Sequence, residues 1–391
     1  MQKTDRSAAA QAREAAAGYL KRFGAKPGLW ITALTLIVAI ALGLATLLKP
    51  SADFSENENR KPASFPKLTL SALADGSFAD GVGDWFSDRF AGRDFWIRLN
   101  LGFRRVTGQK ENGGVWLGRG GQLFLIPSAP NDAAMQKNLK AMNEFGPEVN
   151  RYAMIVPNAC QILSDRLPRH APAPDQAAIL ARIRDALPNV TLIDPTAKLT
   201  EHRDEYIFYK SDHHWTSLGA FYGFEALDET MHFGVTAEYE HRTVSDSFSG
   251  TLASKSGKFA SKDVVDVYTP KSDVKYSVTY AQDMRKTASM YERSALDGKD
   301  HYTVFFGGNH PRVDIVSTAD TGRRLLLFKD SYANCVIQFL YPYFERIVMV
   351  DPRYYYDHAA DLLTQNEITD VLYLYNLDTF CTDTTLADAL T

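Results

Sequence analysis

The sequence predicts an α/β domain built on a mainly parallel sheet and attached to one N-terminal transmembrane helix. Short apolar runs rich in β-branched residues alternate along the chain with segments of helical period. That alternation is typical of parallel sheets covered by helices on both faces. Ahead of these segments, residues 27–48 contain no charged side chain. The chain has 391 residues, 45% of them hydrophobic, which is enough to bury a large core.

The apolar segment Pro27–Leu48 is long enough to cross about 30 Å of hydrocarbon as a helix. It is also longer than the apolar part of a secretory signal peptide. Lys21, Arg22 and Lys26 precede it, and acidic residues follow it closely. This charge bias predicts a single-pass protein of the cell membrane, with residues 1–26 in the cytoplasm and the C-terminal domain outside. A cleaved signal peptide is the alternative, and it also places the domain outside.

Residues 49–66 are polar and bounded by prolines, which predicts an extended linker before a domain of residues 67–391. Apolar residues at helical spacing then predict two helices between residues 67 and 108, broken near Gly92. Two short apolar runs flanked by glycines, Val115–Leu117 and Leu123–Ile126, predict a β-hairpin.

From residue 131 onward the pattern alternates between helix and strand. Helices are predicted at 131–146, 175–187, 217–230, 332–341 and 359–366. Strands are predicted at 151–156, 190–193, 324–328, 346–350 and 370–375. Residues 235–300 break this rhythm and are predicted to form an antiparallel insertion between the two halves of the domain.

Composition excludes several classes of function. The net charge of −4 gives no indication of a nucleic-acid partner. Three cysteines, Cys160, Cys335 and Cys381, are too few and too scattered for a disulfide scaffold or a CxxC metal site. We expect them to be small buried side chains.

The segment Asp212-His213-His214-Trp215 places an acid and two imidazoles together. Side chains at positions i and i+2 of an extended segment point the same way. Asp212 can therefore hold the ring of His214 and fix its tautomer, while His213 is expected to point to the other side. A metal site is an alternative, but adjacent histidines diverge and the segment lacks HExxH spacing, so we predict none. A purely structural turn is a further alternative.

Ser331 follows an apolar strand that ends at Phe328, and a helix is predicted to begin at or just after it. This places Ser331 at the carboxyl edge of the sheet, where functional residues of such folds collect. Free N–H groups at a helix start favour negative charge, and a serine nucleophile needs both a base and oxyanion donors. The alternative is that Ser331 only caps the helix.

The two segments "SDHHW" and "FKDSYAN" together resemble the DHHW family, which is related to SGNH-type proteins that O-acetylate alginate outside the bacterial membrane. Further pieces strengthen the resemblance, so that it spans most of residues 53–376: "FSENENRKPASFP", "DRFAGRDFWI", "NGGVWLG", "FFGGNHP" and "VDPRYYY". It implies an SGNH-like three-layer fold and a triad of Asp212, His214 and Ser331 as orienting acid, general base and nucleophile. Lys329 departs from the pattern, because SGNH enzymes often have glycine there.

Oxyanion or substrate contacts are expected from Gly308, Asn309 and Arg353. The glycines of "FFGGNHP" allow backbone N–H groups to approach a substrate, and Asn309 adds an amide, although a simple tight turn is equally compatible with these residues. Arg353 could stabilise an oxyanion or hold the carboxylate of an acidic sugar, or it could form a surface salt bridge.

Together these features predict a membrane-anchored extracytoplasmic serine O-acetyltransferase or acetylesterase acting on a cell-surface polysaccharide, with no cofactor. The resemblance also implies a partner, a multi-pass membrane-bound O-acyltransferase. The competing hypothesis is a non-catalytic polysaccharide-binding or assembly protein.

Overall fold

The computed structural model of the protein describes residues 13–15, 17–18, 27–50, 52–234 and 237–391. The predicted cytoplasmic segment 1–26 therefore lies almost entirely outside the described residues. The chain divides into two compact units, Met1–Leu99 and Asn100–Thr391.

The first unit is helical. Its first described helix, α1 (Pro27–Leu48), coincides with the predicted span and is long and apolar enough to cross a membrane. Three helices follow, α2 (Leu70–Ala74), α3 (Ser77–Arg89) and α4 (Arg93–Val106). The predicted break at Gly92 is confirmed, and a second break at Gly76 divides the first predicted helix. Both glycines have positive φ, +69° and +83°, a conformation that other residues adopt at a cost.

The predicted linker 49–66 is not simply extended. Ser55 and Arg60 pair through their backbones to close a short turn. The guanidinium of Arg60 lies 2.6 Å from Asp88, and that of Arg93 lies 2.5 Å from Glu58. These ion pairs tie the segment to α3 and α4 within the first unit.

The second unit begins with a small antiparallel sheet of β1 (Glu111–Asn112), β2 (Val115–Leu117) and β3 (Leu123–Leu125). The predicted hairpin is confirmed, because β2 and β3 pair with the register Trp116 opposite Phe124.

Ten further strands follow among the described residues of the second unit. They are β4 (Asn150–Val156), β5 (Thr191–Ile193), β6 (Tyr239–Phe248), β7 (Asp263–Pro270), β8 (Tyr276–Tyr280), β9 (Arg285–Thr287), β10 (Arg312–Ser317), β11 (Arg324–Lys329), β12 (Arg346–Val350) and β13 (Asp370–Asn376). Eight of them form the main sheet in the order β5-β4-β13-β11-β12-β10-β8-β9. The first five are parallel, and the last three add antiparallel pairs at one edge.

The strands described within 235–300, the region predicted as an antiparallel insertion, do pair antiparallel with one another. β6 and β7 form a sheet of two strands, whereas β8 and β9 extend the main sheet. They join it through β10, a strand that the sequence analysis missed. The burial of β10 alternates between buried and more exposed residues, and such a short mixed run gives a weak strand signal.

Among the described residues of the second unit, ten α-helices lie between or after the strands. They are α5 (Asp132–Glu144), α6 (Ala159–Ile162), α7 (Gln176–Asp185), α8 (Thr196–Glu201), α9 (Ser217–Met231), α10 (Thr251–Ser256), α11 (Ile337–Leu340), α12 (Ala360–Gln365), α13 (Leu377–Thr382) and α14 (Leu386–Leu390). The single helix predicted at 332–341 is wrong. A 3₁₀ helix at Ser331–Cys335 and the short α11 replace it.

The main sheet is buried on both faces. Along β11, Leu325 and Leu327 pack into the core on one face, while Leu326 and Phe328 pack into the core on the other. Because successive side chains of a strand point to opposite faces, the unbroken apolar run of β11 marks a central strand between two layers. The three-layer α/β architecture is therefore confirmed.

Candidate active site

Two turns meet at the carboxyl end of β11. Ser331 lies two residues beyond Lys329, the last residue of that strand, and the turn that carries Asp212 and His214 contacts the segment after the strand. The Nε2 atom of His214 lies 2.7 Å from Oγ of Ser331, although 117 positions separate the two residues. The structure thus brings together the predicted base and the predicted nucleophile within hydrogen-bond distance.

Asp212 fixes the tautomer of His214. Its Oδ1 atom accepts a hydrogen bond of 2.6 Å from Nδ1 of the ring. An ionised carboxylate only accepts hydrogen bonds, so Nδ1 carries the proton and Nε2 is left to accept the hydroxyl hydrogen of Ser331. Asp212 and His214 are both buried, which keeps this chain of contacts out of bulk water.

Asp212 has more donors around it than the histidine alone. Its Oδ2 atom accepts from the backbone N–H of Thr251 at 2.8 Å and from the Thr251 hydroxyl at 2.9 Å, and Oδ1 also accepts from the His214 N–H. Burial by itself raises the pKa of Asp212, but His213, His214 and these hydrogen bonds outweigh it and lower the pKa well below its usual range. Asp212 is therefore ionised at neutral pH.

Gly250 and Thr251 were missed by the sequence analysis. A Cβ atom on Gly250 would lie 2.3 Å from Cβ of Asp212, so only glycine allows the chain to pass this close. Both residues lie in the polar region 235–300, where no spacing or periodicity connects them to Asp212. The sequence held no signal for this contact.

The predicted direction of His213 is wrong. Its ring lies beside that of His214, with centroids 3.9 Å apart, rather than on the other side of the segment. The segment is a tight turn and not an extended strand, so the alternation of side chains does not apply. The Nδ1 atom of His213 lies 3.0 Å from the Thr251 hydroxyl. Burial, followed by the neighbouring His214 ring, lowers the pKa of His213 to about 3.

Aromatic side chains hold the base and the nucleophile. The ring of Tyr302 stacks on His214 with centroids 3.9 Å apart, and its hydroxyl donates to the carbonyl oxygen of Ser331 at 2.7 Å. The indole N–H of Trp215 donates to the carbonyl oxygen of Tyr332 at 3.0 Å. Tyr302 therefore links His214, on which it stacks, to Ser331. Trp215 links the turn of His214 to Tyr332, the residue after Ser331. Tyr302 lies outside every motif that the sequence analysis used.

Asp330 precedes Ser331 in sequence but holds backbone groups rather than the base. Its two carboxylate oxygens accept from the backbone N–H groups of Tyr332 at 2.9 Å and Asn376 at 3.0 Å. The residue that caps the 3₁₀ helix is therefore Asp330, and Ser331 does not have that role. Burial raises the pKa of Asp330.

Lys329 is almost fully buried and its ammonium binds three side-chain oxygens. These belong to Asn334 at 2.9 Å, Asn309 at 3.0 Å and Asp351 at 3.4 Å. Asn309 is exposed, and its Oδ1 atom also accepts from Nδ2 of Asn334 at 3.2 Å. Because Lys329 and Asn334 both donate to Oδ1 of Asn309, the amide nitrogen of Asn309 points away from these two residues. Burial lowers the pKa of Lys329, and Asp351 acts in the opposite direction.

Gly308 does not offer its backbone N–H to a ligand. That N–H donates to the carbonyl oxygen of Phe305 at 3.2 Å, and the N–H of Gly307 donates to that of Thr303 at 2.9 Å. Both glycines have positive φ, +74° and +110°, so they shape the turn that carries Asn309. Of the donors predicted in this segment, the Asn309 amide is the one the turn leaves exposed.

Arg353 forms a salt bridge, but its partner is buried. Its Nε and Nη2 atoms bind the two oxygens of Asp351 at 2.8 and 2.6 Å. Asp351 is fully buried and also contacts Lys329. Arg353 is therefore connected through one carboxylate to the residues that flank Ser331.

The metal alternative can be stated in terms of distances. Ligand atoms of Asp212, His213 and His214 lie within 4.8 Å of one another. However, Nδ1 of each histidine is already hydrogen-bonded, one to Asp212 and the other to Thr251. A cation held by these atoms would have to displace the contacts that orient His214.

Comparison with known families gives one match over most of the chain. The model of a family described as "DHHW protein" matches residues 58–115 and 133–350. No curated protein sequence matches the chain.

Solved structures are also similar. A DHHW family protein from Eubacterium siraeum has 26% sequence identity and a TM-score of 0.61, with 72% of this chain and 95% of that chain covered. The structure of Bacillus cereus PatB1 with a sulfonyl adduct has 18% identity and a TM-score of 0.56, covering 68% and 97%. The O-acetyltransferase domain of Pseudomonas putida AlgJ has 16% identity, covers 69% and 93%, and its TM-score of 0.44 is too low to support an argument.

Proposed function

The chain belongs to the DHHW family, and on that premise we propose that it is a membrane-anchored, extracytoplasmic serine O-acetyltransferase or acetylesterase. Its substrate is an acetylated or acetyl-accepting polysaccharide of the cell surface. The observation that carries the proposal is the contact of 2.7 Å between Nε2 of His214 and Oγ of Ser331, with Asp212 on the far side of the ring.

The reaction uses these atoms in two steps. Nε2 of His214 takes the proton of Ser331 while Oγ forms a bond to the carbonyl carbon of the acetyl donor. The donor's alkoxide leaves with that proton, and an acetyl ester of Ser331 remains. His214 then takes the proton of a sugar hydroxyl or water, whose oxygen forms a bond to the acetyl carbon. The bond from that carbon to Oγ breaks, and His214 returns the proton to Oγ of Ser331. Asp212 stabilises the imidazolium that forms in each step.

Negative charge develops on the carbonyl oxygen, and we assign two donors to it. One is the backbone N–H of Ser331, at the start of a 3₁₀ helix where the first N–H groups lack intrahelical acceptors. The other is the amide nitrogen of Asn309, which the contacts of Oδ1 with Lys329 and Asn334 turn outward. Gly308 supports this turn through its conformation, and its own N–H donates to Phe305 rather than to the substrate.

We assign to Arg353 the binding of an acidic sugar. Its guanidinium is partly exposed and rests on buried Asp351, which orients it without covering it. Next to it, Tyr354 and Tyr356 expose 45% and 91% of their surfaces, as rings that stack on sugars do. The acetyl donor would come from a multi-pass membrane-bound O-acyltransferase, close to which α1 would hold the domain.

Labelling of the full chain with a fluorophosphonate tests the proposal. We expect one equivalent of label on the wild type, none on Ser331→Ala and strongly slowed labelling of His214→Ala. Ser272→Ala changes an exposed serine that is not one of the site residues. It serves as the matched control and should label like the wild type. Circular dichroism should show that each variant is folded. A sulfonyl fluoride is a suitable second reagent, because PatB1 holds a sulfonyl adduct.

The alternatives predict different results. A folded wild type that takes up neither reagent would favour a non-catalytic polysaccharide-binding or assembly protein. Activity that a chelator abolishes, together with metal in the purified protein, would favour a metal hydrolase at Asp212, His213 and His214. Hydrolysis and transfer are then distinguished by incubating acetyl-labelled protein with candidate glycans and analysing the products.

A further inference from the structure

The first unit carries an aromatic cluster at the junction of α3 and α4. It consists of Phe86, Phe90, Phe95 and Trp96, with ring centroids 6.0 Å apart for Phe86 and Phe90, 6.5 Å for Phe90 and Trp96, and 5.3 Å for Phe95 and Trp96. These rings are not buried in a core. Phe95 exposes 61% of its surface, Trp96 41% and Phe86 37%.

The aromatic cluster lies against the C-terminal end of α1. The backbone N–H of Ala91 donates to the hydroxyl of Thr46 at 3.0 Å, and the indole N–H of Trp96 donates to the carbonyl oxygen of Ala91 at 3.2 Å. Thr46 is fully buried by this contact, in a helix that is otherwise almost entirely exposed. Two hydrogen bonds therefore connect Trp96 to the last turn of the apolar helix.

The length of α1 sets the depth of this contact in a membrane. At about 1.5 Å of rise per residue, 22 residues span about 33 Å, close to the roughly 30 Å of a hydrocarbon core. Thr46 is two positions from the end of the helix, where hydrocarbon gives way to lipid headgroups. The aromatic cluster is fixed at that same level.

Tryptophan and other amphipathic aromatic side chains prefer this boundary, and an apolar helix face that lies on a membrane buries itself into it. From these contacts we infer that the exposed face of Phe86, Phe95, Trp96 and Leu99 inserts into the outer headgroup region of the membrane that α1 crosses. Leu99, half exposed on the same helix as Trp96, extends this face. In that arrangement α1 is a retained anchor, since its cleavage would uncover Thr46 and Ala91.

The inference is tested on the full chain reconstituted in phosphatidylcholine vesicles, with a nitroxide spin label at one introduced cysteine. Phe95→Cys and Leu99→Cys are the two test variants. Ile37→Cys, in the middle of α1, is the reference for hydrocarbon, and Met284→Cys, an exposed residue of the second unit, is the reference for water. The three native cysteines are buried, so the wild type gives the background labelling.

Collision rates with oxygen and with a water-soluble nickel complex then report the surroundings of each label. Labels at positions 95 and 99 should collide more with oxygen than with nickel. The ratio of the two collision rates should lie between the ratios of the two reference positions. Two outcomes would overturn the inference: a ratio at both positions equal to that of position 284, which means water, or exclusion of both reagents, which means that a protein surface covers the face. Because two positions are labelled, a variant that fails to fold does not remove the test. The result does not depend on catalytic activity.

Discussion

The turn at residues 211–216 and the turn at residues 329–335 meet at Ser331, and each contains a buried aspartate that accepts a backbone N–H two residues ahead. Their electrostatic surroundings differ. Asp212 also accepts hydrogen bonds from the ring of His214 and from the backbone N–H and hydroxyl of Thr251, and its pKa is lowered. Asp330 receives two backbone N–H groups, and burial raises its pKa.

An aspartate that neighbours the reactive serine in sequence is therefore not necessarily the orienting acid. Asp330 is adjacent to Ser331 in sequence, yet its oxygens hold the backbone of β13 and the 3₁₀ helix. Asp212 is distant in sequence and holds the imidazole. The number and charge of the donors decide whether a buried carboxylate remains ionised. The predictions of kcat below rest on the proposed function, and the variants of Asp212 and Asp330 test the two sides of this difference.

Asp212→Asn should have the largest effect. The amide can present its N–H to Nδ1 of His214, which favours the tautomer that cannot accept the proton of Ser331. We expect kcat on an activated acetyl ester to fall by about 10⁴-fold, as loss of the orienting acid does in serine triads. Circular dichroism should be unchanged. Retention of more than a tenth of the activity would mean that Asp212 is not the orienting acid.

Much of this arrangement could be predicted from sequence. The parallel strands β4, β11, β12 and β13 are apolar runs of a sheet buried on both faces, and that pattern leaves little ambiguity. Asp212, His214 and Ser331 carry distinctive chemistry on turns next to such strands. The structure brings together the three side chains that the resemblance to the DHHW family implied as a triad.

The remaining contacts of the site could not be predicted, because they join residues that are distant in sequence and share no local pattern. Thr251 reaches the site from the start of α10 and Tyr302 from a 3₁₀ helix, and the contact of Lys329 with Asn309 joins the end of β11 to a turn. The position of His213 was wrong because the alternation of side chains holds for extended backbone, and residues 211–214 form a bend. Local periodicity predicted elements, whereas the geometry between loops came only from the folded chain.

Asn309→Ala should have the second largest effect. Removal of one oxyanion donor costs about 10²–10³-fold in kcat, with little change in KM, because the contact forms in the transition state. Lys329→Met should act in the same direction, since it frees Oδ1 of Asn309 to rotate toward the substrate. Steady-state kinetics on an acetyl ester measure both. If kcat of Asn309→Ala equals that of the wild type, the oxyanion donors lie elsewhere.

Asp330→Ala should lower stability more than it changes chemistry. It leaves two buried N–H groups, those of Tyr332 and Asn376, without acceptors, at a cost of about 1–3 kcal/mol in the free energy of unfolding. The raised pKa of Asp330 means that the wild type loses stability as pH rises from the unfolded pKa through the folded pKa. Urea unfolding should therefore show a larger destabilisation by the variant at pH 4 than at pH 7. The opposite trend would contradict the assigned direction of its pKa.

His213→Gln should have the smallest effect, although His213 is adjacent to the base in sequence and in space. Its pKa of about 3 keeps the ring neutral above pH 5, and its contact is with Thr251 rather than with Ser331. A glutamine amide can donate the same hydrogen bond, so we expect kcat/KM within about tenfold of the wild type, the value of one hydrogen bond. The pH profile of kcat/KM above pH 5 should keep the shape that it has in the wild type, because His213 stays neutral over that range. A changed shape would make His213 the base, and a loss of bound metal would make it a ligand.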